Sequence, residues 1–224
     1  MGRGYDRWCD EKEEDVCGWT RTDAENNILG QRWKSKFEVV FRAGIPIVLG
    51  SGNSAAPPES RPNVDGVPQV LEWDDFPIIN VGACDAEGLH KWDGSQGQGT
   101  QKRGENEVGT QLTVFAVGED VTCQTHVDGT SFQNSGTSFS GPAVAGVIAQ
   151  HMVYQPWDRS KTGKDRVQAI KDFIRSDESS KVSSKNFLPG KDDEFRIVST
   201  YGPHQSVLRT FTDFCVITDL EWCG

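Results

Sequence analysis

The sequence between Asn134 and Met152 places a serine where a polar loop passes into a helix. Residues 134–141 are mostly polar or glycine, and small apolar residues follow from Pro142, which predicts a helix from Pro142 to about Met152. Ser138 lies at this junction. A helix N-terminus carries free N–H groups and partial positive charge, so it stabilises an anion that forms beside it. The segment is typical of a nucleophilic serine, although a tightly packed core helix capped by threonine or serine shows the same local pattern.

Helical and strand patterns alternate elsewhere in the chain. From Asn26 to Ala43 apolar residues recur at three- and four-residue steps, which predicts a helix with one buried face that ends at Gly44. The apolar run Ile45–Leu49 is typical of a strand buried in a parallel sheet. Arg166–Ile174 predicts a later helix that packs on this sheet. Helices and buried strands in this order predict an α/β fold.

A glycine-rich turn, Gly50-Ser51-Gly52-Asn53, follows the predicted strand. Ligands of open α/β sheets bind just beyond the carboxyl ends of strands, so an asparagine at the tip of this turn can direct its amide into a site. The alternative is that Asn53 only adopts a turn conformation, for which asparagine is well suited. Residues 54–68 contain four prolines and predict a long extended surface loop.

The serine segment resembles the nucleophile segment of the subtilisin-like serine peptidases. Gly136-Thr137-Ser138, Pro142 and Val144-Ala145-Gly146 match the family pattern Gly-Thr-Ser-x-[Ala/Ser]-x-Pro-x-Val-Ala-Gly in register. Ser51-Gly52-Asn53 is similar to the family element Ala-[Ala/Ser]-Gly-Asn. Phe76–Ala83 and Leu112–Gly118 resemble two family strands, the second with valine where the family has proline in Ala-Pro-Gly.

The resemblance implies a fold, an activity and a set of site residues. It implies a partial subtilisin-like fold, with a mostly parallel sheet and helices on both faces, that corresponds to the carboxyl-terminal half of the catalytic domain. The implied activity is that of a serine endopeptidase with a peptide or protein substrate. Ser138 would be the nucleophile and Asn53 would donate its side-chain N–H to the oxyanion. The implied wall of the substrate pocket is Gly50, Ser51 and Gly52.

The base that a serine nucleophile needs has no recognisable segment in this chain. Family members carry Asp, then His, then Ser, yet only 52 residues precede Asn53 and none of them resembles the Asp or His segment. The chain has four histidines, His90, His126, His151 and His204. His151 lies thirteen residues along the helix from Ser138 and, at about 1.5 Å per residue, is too distant. His126 stays open as a base, and we expect His90 and His204 to be solvated or structural.

We therefore expect negligible peptidase activity from this chain alone, with the missing N-terminal half supplied in cis or in trans. The alternative is a non-catalytic remnant that binds a peptide or a partner protein through the surviving half of the site. In either case the sequence predicts no cofactor and no metal site.

Composition and charge limit the other possibilities. Thirty-three acidic and 23 basic residues give a net charge of −10, which disfavours nucleic acid and anionic membrane surfaces as partners. No apolar run is long enough to span a bilayer, and no hydrophobic signal core follows Met1, so no localisation is assigned. The six cysteines match no zinc pattern, and their pairing stays open.

Three segments follow from these patterns. Residues 1–24 are predicted to be a poorly ordered lead-in, 25–180 the partial catalytic domain and 181–224 an unassigned tail. The tail contains two candidate strands, Phe195–Val198 and Phe211–Ile217.

Overall fold

A computed structural model describes residues 18–97, 104–125, 129–154, 160–182 and 196–198. The helices are α1 (Arg21–Asn26), α2 (Ile28–Arg42), α3 (Thr137–Tyr154) and α4 (Gly163–Ile174), with a short 3₁₀ turn at Gln69–Leu71. The strands are β1 (Val48–Gly50), β2 (Ile79–Cys84), β3 (Val114–Val117), β4 (Val121–Gln124), β5 (Ser131–Asn134), β6 (Ser180–Val182) and β7 (Arg196–Val198).

Five of these strands form one sheet in the order β1-β2-β3-β7-β6. Strands β1, β2, β3 and β7 are parallel, and β6 is antiparallel to β7. Strands β4 and β5 form a separate antiparallel hairpin. The prediction of a mostly parallel sheet is confirmed. Strand β1 is parallel as predicted but only half-buried, because among the described residues it has a neighbour on one side alone.

Each face of the sheet is covered by apolar side chains. On one face Val81 and Val114 pack in a cluster with Val144 of α3 and Ile170 of α4. Leu49 points to the opposite face and packs against the cluster that contains Phe37 and Phe41 of α2. Helices therefore lie on both faces, as predicted. No helix in the described part of the chain combines the length and apolarity needed to cross a membrane.

Helix α2 follows the predicted pattern closely. The side chain of Asn27 caps it by accepting a hydrogen bond from the N–H of Leu29 at 2.9 Å. Gly44, with φ of +72°, follows its last turn. The ring of Phe41, a residue of α2, packs edge to face on the ring of Phe76, with 5.0 Å between the ring centroids. The helix therefore spans nearly the whole of the predicted segment 26–43.

Helix α1 begins at Arg21, inside the segment 1–24 for which the sequence predicts no element, and ends at Asn26. Thr20 caps it through a 3.0 Å hydrogen bond from the N–H of Asp23, and Arg21 and Ala24 are buried. The Thr-x-x-Asp spacing is a recognisable helix start. Residues 18–24 are thus part of the fold.

The surface position expected for residues 54–68 is wrong in the second half of that segment. Residues 57–60 are exposed, whereas Arg61 and residues 64–68 are buried. Val64 belongs to a core cluster, and Arg61 forms an ion pair with the buried Asp65. The paired charges make burial of the loop tolerable. Further along the chain, β7 confirms most of the candidate strand Phe195–Val198, and Phe211–Ile217 lies outside the described residues.

Candidate active site

Helix α3 begins at Thr137, five residues earlier than predicted. Its start is fixed from a distant part of the chain, since the N–H of Thr137 donates a 2.9 Å hydrogen bond to Oδ1 of Asn53. Pro142 lies inside the helix and has no N–H to donate to the carbonyl of Ser138. Because the helix begins at Thr137, Ser138 is its second residue, and the Ser138 side chain is exposed.

Asn53 and Thr137 are joined by two hydrogen bonds. Oδ1 of Asn53 accepts from the Thr137 N–H and from its hydroxyl, each at 2.9 Å. The same hydroxyl accepts a 3.2 Å hydrogen bond from the N–H of Gly52. Thr137 is buried, whereas Asn53 is exposed. The two bonds fix which end of the Asn53 amide faces Thr137, so the Nδ2 end is turned the other way.

The Nδ2 end of Asn53 and the Ser138 hydroxyl face a common space beside Gly136. A Cβ atom added to Gly136 would lie 3.2 Å from Nδ2 of Asn53 and 3.2 Å from Oγ of Ser138. Because Gly136 has no side chain, no Cβ atom occupies the position between these two groups. The N–H of Ser138 lies in the first turn of α3 and makes no backbone hydrogen bond among the described residues. Two N–H donors are thus available near one hydroxyl, as an oxyanion site requires.

The turn Gly50-Ser51-Gly52, which precedes Asn53, is held in place by backbone and side-chain hydrogen bonds. The carbonyl of Gly50 accepts a 2.9 Å hydrogen bond from Gln69, and the N–H of Ser51 donates to Val81 at 2.8 Å. Ser51 is buried. The structure places the turn directly against α3. Its role as a wall of the substrate pocket stays a prediction.

His151 lies far along α3 from Ser138, as expected. Its ring stacks on Phe173 of α4, with 3.5 Å between centroids and an interplanar angle of 16°. Burial lowers the pKa of His151, although the nearby Glu178 opposes that shift. The imidazole therefore belongs to the contact between α3 and α4.

His90 lies in an exposed turn after β2. The carboxylate of Asp85 accepts hydrogen bonds from the backbone N–H groups of Leu89 and His90. Burial and neighbouring acidic groups raise the pKa of Glu119, and the nearby His90 opposes that shift. His126 and His204 lie outside the described residues.

The Ser138 hydroxyl has no histidine or carboxylate partner within the part of the chain that the structure describes. None of the hydrogen bonds of this region joins Oγ of Ser138 to such a group. In the same residues, no group of three or more His, Cys, Asp or Glu side chains is arranged to hold a metal ion. Among the described residues, the structure thus brings the Ser138 hydroxyl and the Nδ2 end of Asn53 together, and no histidine or carboxylate is bonded to that hydroxyl.

Comparison with known proteins identifies the fold. No model of a known protein family matches this sequence, and no curated protein matches it. Many solved structures are similar to it, and two of them serve for comparison. One is a cold adapted subtilisin-like serine proteinase, with a TM-score of 0.51 and 18% identity over 77% of this chain and 51% of that chain. The chain has a subtilisin-like fold. The other structure, sphericase, has a TM-score of 0.50 and 20% identity over 75% of this chain and 52% of its own.

The subtilisin-like fold confirms the resemblance inferred from the serine segment. This chain spans about half the length of each of these two structures.

Sequence reasoning missed how the site is held together. In the sequence Thr137 was recognised only as a matching position of the Gly-Thr-Ser motif, which does not reveal that it orients Asn53. Gln96, which contacts the turn before Asn53, lies in a glycine-rich stretch without periodicity and gave no signal. Both roles depend on contacts between segments remote in sequence.

Proposed function

We propose that Ser138 is the nucleophile of a subtilisin-type serine endopeptidase site and that Asn53 is its oxyanion donor. The observation that carries the proposal is the shared position of Oγ of Ser138 and Nδ2 of Asn53, each 3.2 Å from the same point beside Gly136. The position of Ser138 in the first turn of α3 supports it, because the partial positive charge of a helix N-terminus favours an anion there. The subtilisin-like fold supports the reaction class only as an analogy.

In this reaction Oγ of Ser138 attacks the carbonyl carbon of a peptide bond. The carbonyl oxygen becomes an oxyanion, to which Asn53 and the N–H of Ser138 donate hydrogen bonds. A base takes the hydroxyl proton and passes it to the leaving amine, which gives an acyl-enzyme that water then hydrolyses. Loss of the base in such a triad lowers turnover by about 10⁶. The described residues near Ser138 supply no base, so we expect negligible activity from this chain alone.

The surface beside Ser138 fits a completing polypeptide segment. Among the described residues β1 pairs only with β2, so its outer edge is open. An exposed stripe of mostly small residues runs along α3 from the serine, and its members are Ser138, Pro142, Ala145, Gly146, Ala149 and Val153. A helix that is apolar all round is usually buried. We therefore place the missing half of the site, in cis or in trans, against the β1 edge and this stripe.

A second candidate function is peptide or partner binding without catalysis. The open edge of β1 favours it, because an edge strand presents unpaired backbone groups to which an extended peptide can add. The gene region upstream of this chain separates the two candidates. An in-frame Asp-[Thr/Ser]-Gly and His-Gly-Thr-His there would support the peptidase, and their absence would support the binding remnant.

The proposed site can be tested without the missing base by replacing Ser138 with cysteine. A thiolate beside a helix N-terminus and an amide donor is stabilised, so the thiol of the S138C variant should have a pKa below the ordinary value of about 8.5. The measurement is the pH dependence of iodoacetamide alkylation at position 138, resolved by peptide mass spectrometry. Adding Asn53→Leu should raise that pKa by about one unit, because a hydrogen bond to the anion is lost.

A matched control is Asn106→Leu. Asn106 is exposed and contacts Thr22 of α1, so its replacement should leave the thiol pKa of the S138C variant unchanged. A thiol with an ordinary pKa that does not respond to Asn53→Leu would contradict the proposed function.

A further inference from the structure

Gln96 forms two hydrogen bonds to the turn that carries Asn53. The backbone N–H of Gln96 donates a 2.9 Å hydrogen bond to the carbonyl of Gly52. The backbone carbonyl of Gln96 accepts a 2.6 Å hydrogen bond from the hydroxyl of Ser51. Both residues that precede Asn53 are therefore bonded to Gln96.

Gln96 is in turn fixed by its own side chain. Its Nε2 atom donates to the carbonyl of Asn63 at 2.6 Å and to Oδ1 of Asp65 at 2.9 Å. Arg61 holds that carboxylate with two hydrogen bonds, of 2.8 and 3.2 Å. Gln96 is 2% exposed and Asp65 is 1% exposed. A buried side chain with both amide hydrogens bonded has one available orientation, so the backbone of Gln96 is a rigid support.

The contact between Gln96 and Gly52 leaves no room for a side chain at position 52. Gly52 has φ of +118°, and a Cβ atom there would lie 1.8 Å from Oε1 of Gln96. The glutamine side chain thus packs directly against the glycine backbone. The hydroxyl of Thr137 accepts a hydrogen bond from the N–H of the same glycine. The Gly52 peptide groups are fixed at both ends, and Asn53 follows directly.

We propose that Gln96 is a positioning residue for the oxyanion donor Asn53. It acts through the carbonyl of Gly52 and the hydroxyl of Ser51, and it touches neither Ser138 nor the space beside Gly136. The inference rests on the proposed function, since it assumes that Nδ2 of Asn53 serves an anion at position 138. It adds to the proposed function that the orientation of that donor depends on Gln96, a residue 43 positions later in the chain.

The test uses the thiol of the S138C variant as a reporter of the anion environment. Gln96→Leu in this background removes both side-chain anchors and should raise the thiol pKa by about half a unit or more, toward the value with Asn53→Leu. Combined with Asn53→Leu it should add nothing, because Gln96 acts through that residue. A change in pKa that persists without the Asn53 amide would overturn the inference.

Two companion variants separate positioning from general stability. Val114→Ala removes buried side-chain volume from β3 without touching the turn, so it should lower stability and leave the thiol pKa unchanged. Ser51→Ala removes only one hydroxyl bond to Gln96 and should raise the thiol pKa by a smaller amount. If Gln96→Leu does not fold, Ser51→Ala carries the test.

The outcomes distinguish this inference from the proposed function. Asn53→Leu without effect on the thiol pKa would overturn the proposed function. Asn53→Leu with an effect, together with folded Gln96→Leu and Ser51→Ala variants that leave the pKa unchanged, would overturn the role of Gln96 alone. A shift with Val114→Ala equal to that with Gln96→Leu would also overturn it.

Discussion

Oδ1 of Asn53 accepts two hydrogen bonds from Thr137, one from its N–H and one from its hydroxyl, each 2.9 Å long. This pair connects the strand β1 turn to the first residue of α3 across 84 positions of sequence. It starts the serine helix and orients the asparagine amide at once. The two hydrogen bonds therefore couple the position of the proposed nucleophile, Ser138, to that of the proposed oxyanion donor, Asn53.

Thr137→Val should separate these contributions. Valine has a similar shape but lacks the hydroxyl, so Asn53 loses one hydrogen bond and the N–H of Gly52 loses its acceptor. We expect a loss of about 1–2 kcal/mol in the free energy of unfolding, measured by urea denaturation. Thr137→Ser keeps the hydroxyl and is the matched control. Equal stability of the valine and serine variants would contradict this account of the pair.

Two glycines of the site should respond differently to alanine. At Gly52 a Cβ atom meets Oε1 of Gln96 at 1.8 Å and the backbone has φ of +118°, so Gly52→Ala should cost about 2 kcal/mol or more in stability. Gly136 has no such backbone requirement, and its Cβ atom would lie in the space between Asn53 and Ser138. Gly136→Ala should change stability by less than about 1 kcal/mol.

The consequence of Gly136→Ala should appear in access to the site. In the S138C background it should slow alkylation of the thiol, because the methyl group occupies the space beside the sulfur. Unchanged alkylation together with unchanged stability would show that the space beside Gly136 is not the approach to position 138.

A buried ion pair joins α4 to the residue that follows the 3₁₀ turn. Lys171 and Glu72 are each nearly inaccessible, and Glu72 also accepts a 2.8 Å hydrogen bond from Thr110. Lys171→Met leaves the carboxylate buried without its cation and should lower the free energy of unfolding by about 3 kcal/mol or more. The partly exposed pair of Lys164 and Glu38 is the comparison, and Lys164→Met should cost less than about 1 kcal/mol. Equal costs in denaturant titrations would contradict the assigned importance of burial.

The buried thiol of Cys84 should make stability depend on pH. Burial, with smaller effects from Asp85 and Glu119, raises the pKa of Cys84 to about 12. The unfolded thiol ionises near pH 8.5 and the folded one does not, so stability is full below about pH 8.5 and falls as pH rises toward 12. Cys84→Ala should remove this part of the dependence.

Native-state alkylation gives a second measurement on this thiol. At pH 8 Cys84 should resist iodoacetamide, because the thiolate is the reactive species. Cys123 is only half-buried and should react faster. Equal rates at the two positions would contradict the assigned burial of Cys84.

Elements whose cause is local were predictable from the sequence. The periodic apolar residues of α2 and α4 gave both helices, and the serine motif gave the fold. The start of α3 was misplaced because its cap comes from Asn53, which no local pattern reveals. The support that Gln96 gives to the turn was invisible for the same reason, since its partners lie on two other segments.

The β-structure shows a similar limit. The short hairpin of β4 and β5 and the strand β6 were not predicted, because segments of three or four residues carry little periodic signal. Strand β1 was recognised by its apolar run. Its place at an open edge follows from the strand order, which sequence patterns do not specify.

The central claim is that Ser138 sits in a formed nucleophile site without its base, and fluorophosphonate labelling tests it most directly. The purified chain is incubated with the probe at neutral pH, and the modified residue is located by peptide mass spectrometry, with Ser138→Ala as control. We predict no labelling at Ser138 in the chain alone, while the S138C variant is alkylated with a lowered thiol pKa. Rapid, stoichiometric labelling of Ser138 would contradict the account, because it would require a base within this chain.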